Sequence, residues 1–283
     1  MLKVYNLSKK FRNVQALKDI TLEFENNRIY GLLGRNGAGK STLVKAIGNR
    51  IFSNTGFIEI SDNYNSKNSE LLDLVHIMSQ EENYDLNMKV INYFEFIASV
   101  NNRFDIDLAK DYARQFELNT DIKLTNLSLG YRTIFKLCIA LAQNTPFIIY
   151  DEPVFGLDLI HRELFYKLLL EQYSRGNITI IIATHIIDEI ENLIDRVIII
   201  DHGQITLNMD YGDLLKEVFL LSGNRDVILK LVDPESIIYE ENLGTLTNAY
   251  VKGPELDGSL DKVQISHLEL NEIFIALTSE RND

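Results

Sequence analysis

Apolar residues change their spacing along the chain, and the change predicts where strands give way to helices. Over residues 1 to 34, apolar and polar side chains alternate, as they do in half-buried strands. Over residues 81 to 145, apolar residues recur at the spacing of helix faces, at Val90, Phe94 and Ile97 and again at Leu108, Tyr112 and Phe116. Because aromatic residues at such spacing usually fill a core, we interpret this region as a helical subdomain packed around them.

Nearly continuous apolar runs predict the strands at the centre of the fold, since such runs are typical of strands covered on both faces. The runs lie at residues 74–78, 147–150, 178–182 and 197–200. Together with the early strands, they predict an α/β core formed by residues 1–80 and 146–215. The helical subdomain, residues 81–145, is then an insertion in this core.

Beyond residue 215 the pattern changes again. Short apolar segments predict the order strand, helix, two strands, strand and helix, over residues 218–221, 225–232, 236–239, 246–251, 263–266 and 268–277. The segments are separated by turn signals such as Asp233-Pro234 and Gly253-Pro254. We therefore predict a small C-terminal α+β accessory domain at residues 216–283. Its last helix is expected to pack on that domain, with a dimer contact as the alternative.

A glycine-rich segment between a short apolar strand and a predicted helix at 41–47 has the pattern of a phosphate-binding loop, G-x-x-x-x-G-K-[ST]. It reads Gly34-Arg35-Asn36-Gly37-Ala38-Gly39-Lys40-Ser41-Thr42. Glycines let backbone N–H groups close around phosphate oxygens, Lys40 supplies a cation, and the Ser41 hydroxyl can ligate Mg²⁺. The helix N-terminus adds a dipole that favours anions. A chance glycine-rich turn explains the strand, loop and helix together less well.

Two carboxylates, Asp151 and Glu152, follow the apolar run at 147–150. Asp151, at the strand end, can hold Mg²⁺ through water. Because side chains alternate along a strand, Glu152 is expected on the other side of the backbone, where it could polarise an attacking water. Alone, Asp-Glu-Pro would fit a solvated turn. After an apolar strand and a phosphate-binding loop, it indicates a site for phosphoryl transfer.

With these two elements, the chain resembles the ATP-binding cassette (ABC) subunits of transporters, over about residues 1 to 215. The resemblance also rests on residues that stand in family order around the loop and the carboxylates. They are Phe11, Gln80, Ser128, Gly130, Asp158 and His185. It implies an α/β fold of the P-loop NTPase (ABC ATPase) type, which binds ATP and Mg²⁺.

The resemblance implies a role for each residue. Phe11 would stack on adenine, Asp158 would meet the opposite subunit, and Gln80 would also sense a transmembrane partner. The other nucleotide-binding residues would be Asn36, Gly37, Ala38, Gly39, Lys40, Ser41, Thr42, Ser128 and Gly130. Mg²⁺ would be held by Ser41, Gln80 and Asp151. The catalytic residues would be Glu152, Gln80 and His185, the last at the γ-phosphate.

Each of these residues also has an ordinary structural interpretation. Phe11 fits an edge aromatic, Gln80 a solvated loop residue, and Asp158 the cap of a helix that starts near Leu159. His185 is one of five histidines, and a histidine satisfied within a core is commoner than a functional one. The order of the set, rather than any single residue, favours the functional interpretation.

The signature departs from the Leu-Ser-Gly-Gly-Gln that is usual in the family. Leu129 and Tyr131 replace the third and fifth residues, and Ile134 replaces an arginine. Ser128 and Gly130 are retained at the start of a predicted helix at 129–143, so we expect a usable signature. The Leu-Ser-Leu-Gly form resembles ATPases of Gram-positive antimicrobial-peptide and multidrug exporters. The residues that continue from the signature, Gly-Tyr-Arg-Thr-Ile-Phe-Lys at 130–136, resemble the branch that exports phenol-soluble-modulin toxins.

The resemblance implies an ATPase that dimerises head to tail around two ATP molecules, as a homodimer or with a paralogue. It would drive export of a peptide, toxin or drug by a separate transmembrane permease. The alternative is a regulatory subunit that binds ATP with little hydrolysis, which the altered signature favours and the intact Glu152 opposes. ATPases of ribosomes or chromosomes fit poorly, because the chain has one cassette and no long heptad segment.

Composition agrees with this interpretation. The 283 residues include 28 basic and 41 acidic ones, which gives a net charge of −13, and no basic patch predicts a nucleic-acid partner. The single cysteine, Cys138, lies among apolar residues and is interpreted as a buried side chain, which suits the cytosol. No apolar run approaches the ~18 residues that cross a membrane. We expect the chain at the cytoplasmic face of the membrane, held there by the permease.

Overall fold

The computed structural model of the chain describes residues 1–60, 71–81, 84–254 and 263–279. In chain order, the strands formed by these residues are β1 (Leu2–Phe11), β2 (Val14–Phe24), β3 (Ile29–Leu33), β4 (Thr55–Ile60), β5 (Val75–Met78), β6 (Phe147–Asp151), β7 (Thr179–Thr184), β8 (Arg196–Asp201), β9 (Gln204–Asp210), β10 (Val218–Gly223), β11 (Ile237–Leu243), β12 (Leu246–Lys252) and β13 (Val263–His267). The helices are α1 (Lys40–Ile47), α2 (Leu71–Leu74), α3 (Val90–Val100), α4 (Ile106–Gln115), α5 (Leu129–Leu141), α6 (Leu159–Ser174), α7 (Tyr211–Glu217), α8 (Arg225–Ile228) and α9 (Leu270–Thr278).

A six-stranded sheet lies at the centre, in the order β5-β6-β7-β3-β8-β9. Its strands are parallel except for β9, which pairs antiparallel with β8. Every residue of β3, β6 and β7 is buried, as the continuous apolar runs predict. Because β6, β7 and β3 are neighbours, the segments that follow them leave the sheet at one edge.

The early strands form a second sheet, with the antiparallel order β2-β1-β4. Leu22 and Phe24 are buried whereas Glu23 between them is exposed, so the predicted alternation is present. Leu22 and Phe24 share a core with Leu43 and Ile47 of α1. This core supports the helix that follows the glycine-rich loop.

The inserted region is helical, as its spacing predicts, and its aromatic residues pack together. Phe94 of α3 stacks on Phe135 of α5 with ring centroids 5.9 Å apart, and Tyr112 of α4 and Phe116 are also buried. The helix predicted at 129–143 ends earlier, at Leu141, with Ala142 as its C-cap. Cys138 is fully buried in α5, as predicted.

A buried glutamine of α6 joins this helical region to the central sheet. The Gln172 amide donates to the carbonyls of Ala140 and Leu141 at the end of α5, at 2.9 and 3.0 Å. Its Oε1 accepts the Tyr150 hydroxyl of β6 at 2.7 Å. Carbonyls in the last turn of a helix often lack partners within that helix, and Gln172 supplies a donor for Leu141, whereas Ala140 also accepts the Gln143 N–H.

The C-terminal residues form a four-stranded antiparallel sheet, in the order β11-β12-β10-β13. The predicted order of strands and helices is found, although the first helix, α8, ends at Ile228. The last helix, α9, packs on β11 of the C-terminal sheet and also contacts a residue outside that sheet. The Leu270 N–H at its start donates to the Glu191 carboxylate, 3.1 Å away, which also accepts the Tyr211 hydroxyl. The helix therefore packs on its own domain, as predicted, and also bonds to Glu191 outside it.

None of the helices in the described ranges has the length and hydrophobicity needed to cross a bilayer.

We predict that Gln172→Leu lowers the free energy of unfolding by about 1–3 kcal/mol, because it leaves the Leu141 carbonyl and the Tyr150 hydroxyl buried without this partner. Urea unfolding followed by circular dichroism measures this change. Gln115→Leu, at an exposed position of α4, is the control, with an expected change within about 0.5 kcal/mol. Equal stability of the two variants would contradict the role assigned to Gln172.

Candidate nucleotide site

The glycine-rich loop passes from β3 into α1 with a backbone that requires glycine. Gly39, just before α1, has φ 116°, in the left-handed region that favours glycine. A Cβ atom there would meet the carbonyl oxygen of Ala16 at 2.8 Å, too close for any side chain. The loop therefore lies against the start of β2, and α1, which follows it, packs between β2 and β6.

Lys40 is buried at the centre of this loop. Its ammonium donates to the carbonyl of Gly34 at 2.6 Å and lies 3.7 Å from the Glu152 carboxylate. Burial lowers the pKa of Lys40, and the charges of Glu152 and Asp151 act in the opposite direction. The cation is thus held at a position where two carboxylates partly replace its lost hydration.

Asp151 lies beneath the first turn of α1. It is buried, and its Oδ1 accepts the Ser41 hydroxyl at 3.2 Å. Burial raises the pKa of Asp151, opposed by the Ser41 hydrogen bond. Gln80, which is exposed, lines the same cleft. A hydroxyl, a carboxylate and an amide oxygen are hard oxygen donors of the kind that Mg²⁺ accepts, so these residues fit the metal.

Glu152 does not follow the strand alternation that its sequence position predicts. It lies just beyond β6 with φ 51°, in the left-handed region, and its N–H donates to the carbonyl of Ala183. The carboxylates of Asp151 and Glu152 consequently both reach the loop, one at Ser41 and the other at Lys40. The prediction of opposite sides was wrong, because the chain leaves the strand conformation at this residue.

The Glu152 carboxylate is fixed from β7. Its Oε2 lies 2.9 Å from Nδ1 of His185 and accepts the Thr184 hydroxyl at 3.2 Å. His185 is partly exposed, whereas the Glu152 side chain is 14% exposed. A carboxylate, an imidazole and the Lys40 ammonium thus meet at one wall of an open cleft.

This cleft has a volume of about 520 Å³ and collects most of the predicted site. The predicted residues that line it are Asn36, Gly37, Gly39, Lys40, Ser41, Thr42, Gln80, Glu152 and His185. Ala38 and Asp151 are buried beneath the loop.

The cleft lining also includes Val14, Gln15, Ala16, Arg35, Phe155, His202 and Gly203, which the sequence did not single out. The turn between β8 and β9 reaches the site through Gly203, whose N–H donates to the carbonyl of Ala38. The sequence marks this turn by its glycine, Gly203. Its position beside the phosphate-binding loop follows from the strand order, in which β3 lies next to β8.

Phe11 lies outside the lining of this cleft. It ends β1 opposite Val14, its side chain is exposed, and the Lys9 ammonium lies 4.9 Å from its ring centroid. Val14, 67% exposed, lines the cleft together with Gln15 and Ala16 of the same hairpin. The structure therefore does not bring Phe11 together with the other predicted residues.

Ser128, Gly130 and Asp158 do not line this cleft. Ser128 caps α5 by accepting the Tyr131 N–H, and Asp158 caps α6 by accepting the His161 N–H. The Asp158 carboxylate also lies 2.9 Å from Nδ1 of His161. The capping role considered for Asp158 is therefore present in the fold.

Gly130 is needed for a contact within its own chain. A Cβ atom there would meet the carbonyl oxygen of Gly156 at 2.7 Å. The start of α5 thus packs directly on the loop before α6. Tyr131, at the altered signature position, packs edge-on to His161 with centroids 6.1 Å apart. The altered residue therefore has a packing partner, which its sequence position did not predict.

Comparisons with known proteins agree with this geometry. A model of the ABC transporter family matches residues 17–155. The uncharacterized ABC transporter ATP-binding protein MJ1023 of Methanocaldococcus jannaschii is 30% identical over 211 residues, which are 72% of this chain and 75% of that protein. The ABC transporter ATP-binding protein YtrB of Bacillus subtilis is 27% identical over 290 residues, with 98% of this chain and 97% of that protein covered. The similarity to YtrB therefore extends over the C-terminal sheet.

Two further relatives have names that specify a cargo. The bacitracin transport ATP-binding protein BcrA of Bacillus licheniformis is 29% identical, with 81% of this chain and 78% of that protein covered. The methionine import ATP-binding protein MetN of Clostridioides difficile is 29% identical, with 84% and 75% covered. Because one of these names denotes import, similarity alone leaves the direction of transport open.

The predicted fold is confirmed by solved structures. The dimeric structure of a post-hydrolysis state of the ATP-binding cassette MJ0796, bound to ADP and Pi, aligns with a TM-score of 0.66. It is 23% identical, and the alignment covers 75% of this chain and 99% of that one. The α/β core is that of P-loop NTPases. On the sequence and structural similarities together, the chain belongs to the family of ABC transporter ATP-binding proteins.

Proposed function

We propose that this chain hydrolyses ATP, with Glu152 as the residue that orients and deprotonates the attacking water. The observation that carries the proposal is the position of the Glu152 carboxylate, 2.9 Å from His185 and 3.7 Å from Lys40 at the wall of the cleft. A general base must lie within reach of the water that it activates and be held in one orientation. Thr184 and His185 supply that orientation.

The remaining residues of the cleft would bind the substrate. Lys40 and the loop amides would hold the phosphates, and Ser41, Gln80 and Asp151 would hold Mg²⁺. The metal would neutralise phosphate charge, which is a main requirement of phosphoryl transfer. His185, paired with Glu152 through Nδ1, would contact the γ-phosphate through its other ring nitrogen. For adenine, Val14 offers the nearer apolar surface, and stacking on Phe11 would require its ring to move.

We further propose that Ser128, Gly130 and Asp158 complete the site of a second chain, in a head-to-tail dimer with another copy or a paralogue. Their absence from the lining of their own chain's cleft supports this. So does an exposed apolar surface at Leu129, Phe155, Leu159 and Ile160, whose exposed fractions are 57%, 49%, 68% and 76%. Apolar side chains grouped in this way usually mark a protein interface.

The alternative of a regulatory subunit keeps one observation in its favour, the altered signature at Leu129 and Tyr131. Turnover distinguishes the two proposals. If the chain is regulatory, the wild type binds ATP but shows almost no hydrolysis.

Glu152→Gln is expected to bind ATP like the wild type and to lower kcat about 10²–10⁴-fold, since it preserves shape and removes the base. Phosphate release and titration with a fluorescent ATP analogue measure the two properties. Lys40→Ala is the matched control and should instead weaken binding, because it removes a charged phosphate contact. Wild-type turnover of Glu152→Gln would refute the role of Glu152.

We propose that a transmembrane permease docks beside Gln80. Phe52 is 83% exposed. Arg50, two residues before it, donates to the Ser79 hydroxyl at 2.9 Å and to the carbonyl of Ile77 at 3.0 Å. An exposed aromatic residue is therefore connected to the segment that carries Gln80 into the cleft. Such a surface suits an apolar cytoplasmic helix of a membrane subunit.

We propose export rather than import, with peptide, toxin or drug as the class of cargo. The Leu-Ser-Leu-Gly signature and the similarity to a bacitracin transport subunit support this. Docking of the permease would place the chain at the cytoplasmic face of the membrane.

Inside-out vesicles that contain the chain and the membrane protein encoded beside it test docking and direction together. External ATP should drive accumulation of labelled bacitracin or a modulin-type peptide inside them. Phe52→Ala should abolish accumulation while leaving ATP binding unchanged, and Leu243→Ala, at an exposed turn of the C-terminal sheet, is the control. Accumulation in right-side-out vesicles loaded with ATP would contradict export, and normal transport by Phe52→Ala would contradict the docking site.

A further inference from the structure

Lys136 is a buried charge on the helix that begins at the signature. Its residue is 6% exposed, and it is the only charged residue among the buried positions of α5, a helix that the structure describes throughout. A buried ammonium is costly unless hydrogen bonds replace its hydration. Its Nζ donates to the backbone carbonyl of Gln80 at 2.8 Å.

The ammonium also lies near an aromatic ring that is itself fixed. Nζ is 6.0 Å from the ring centroid of Tyr84, within the range of a cation–π contact. Tyr84 packs edge-on to Phe135 and Tyr93, at 5.3 and 5.2 Å. The donor that holds Gln80 is therefore supported by the aromatic core of the helical region.

The residues on either side of Gln80 are held by a different part of the protein. Ser79 accepts a hydrogen bond from Arg50, and Glu81 pairs with Lys45 of α1. Both contacts come from the end of the P-loop helix, whereas the Gln80 carbonyl is held by α5. Gln80 is thus one of the points at which the central sheet and α5 are joined.

We propose that Lys136 is a positioning residue for Gln80. It holds the backbone of Gln80 against α5, so that the Gln80 side chain stays at the cleft and follows any movement of the signature helix. The inference rests on the proposed hydrolysis of ATP, and it adds a residue that contacts neither nucleotide nor metal.

A purely structural role makes a different prediction. It predicts that Lys136→Met loses turnover only to the extent that it loses folded protein. If Lys136 positions Gln80, turnover falls at a temperature at which Lys136→Met is fully folded, which a purely structural role would not produce.

The test uses the full chain. Lys136→Met should keep the KM for ATP close to that of the wild type and lower kcat roughly ten- to hundredfold, because a misplaced site group has about that effect. Lys136→Arg, which keeps a donor and a charge, should recover part of the loss. Lys123→Met removes an exposed lysine of the same region and should change neither quantity.

A second measurement avoids turnover. In a Glu152→Gln background, size-exclusion chromatography with ATP and Mg²⁺ should show less dimer when Lys136→Met is added. Unchanged dimer and unchanged kcat would overturn the inference, as would a loss of activity that only follows a loss of melting temperature. If Lys136→Met does not fold, Lys136→Gln replaces it, since its donor is one bond too short for Gln80.

The parent variant separates the two proposals. If Glu152→Gln neither dimerises nor loses turnover, the proposed function fails and the role of Lys136 fails with it. If the parent behaves as expected and Lys136→Met changes nothing, only the role of Lys136 is wrong.

Discussion

Parallel strands end at a common edge of a sheet, and the nucleotide cleft depends on which strands this sheet places side by side. Asp151 at the end of β6 lies in register with Ala183 of β7, and Leu33 at the end of β3 lies in register with Thr184. The phosphate-binding loop, Glu152 and His185 therefore leave from adjacent points. A different strand order would separate these three groups even with the same motifs in the sequence.

The charges at this edge are the second constraint. Lys40 lies within 3.7 Å of Glu152, and Asp151 is buried beneath it. The Lys40 ammonium and the two carboxylates lower the cost of burying one another, so all three charges are held with limited exposure to solvent. The same arrangement suits a polyanionic substrate with a metal ion, because both kinds of charge are already fixed. The limited exposure of the Glu152 side chain suits its proposed role as a general base.

Local patterns in the sequence predicted the elements that depend on local chemistry. The loop at 34–42, the buried strands and the aromatic core of the helical region follow from spacing and composition, and the fold is confirmed. Contacts between distant segments could not be predicted in this way. The left-handed backbone at Glu152 redirects its side chain, and the approach of Gly156 explains Gly130. The hydrogen bond from Lys136 to Gln80 spans 56 residues, so no local period reveals it.

We propose that each chain completes the nucleotide site of another. Lys40→Ala impairs the cleft of its own chain, whereas Ser128→Arg, through its added bulk and charge, should impair only the site that Ser128 serves in the partner. The direct measurement is ATP hydrolysis by each variant alone and by their equimolar mixture. We predict almost no turnover for either variant and partial recovery in the mixture, where one composite site is intact. No recovery in the mixture, or wild-type turnover by Ser128→Arg alone, would contradict it.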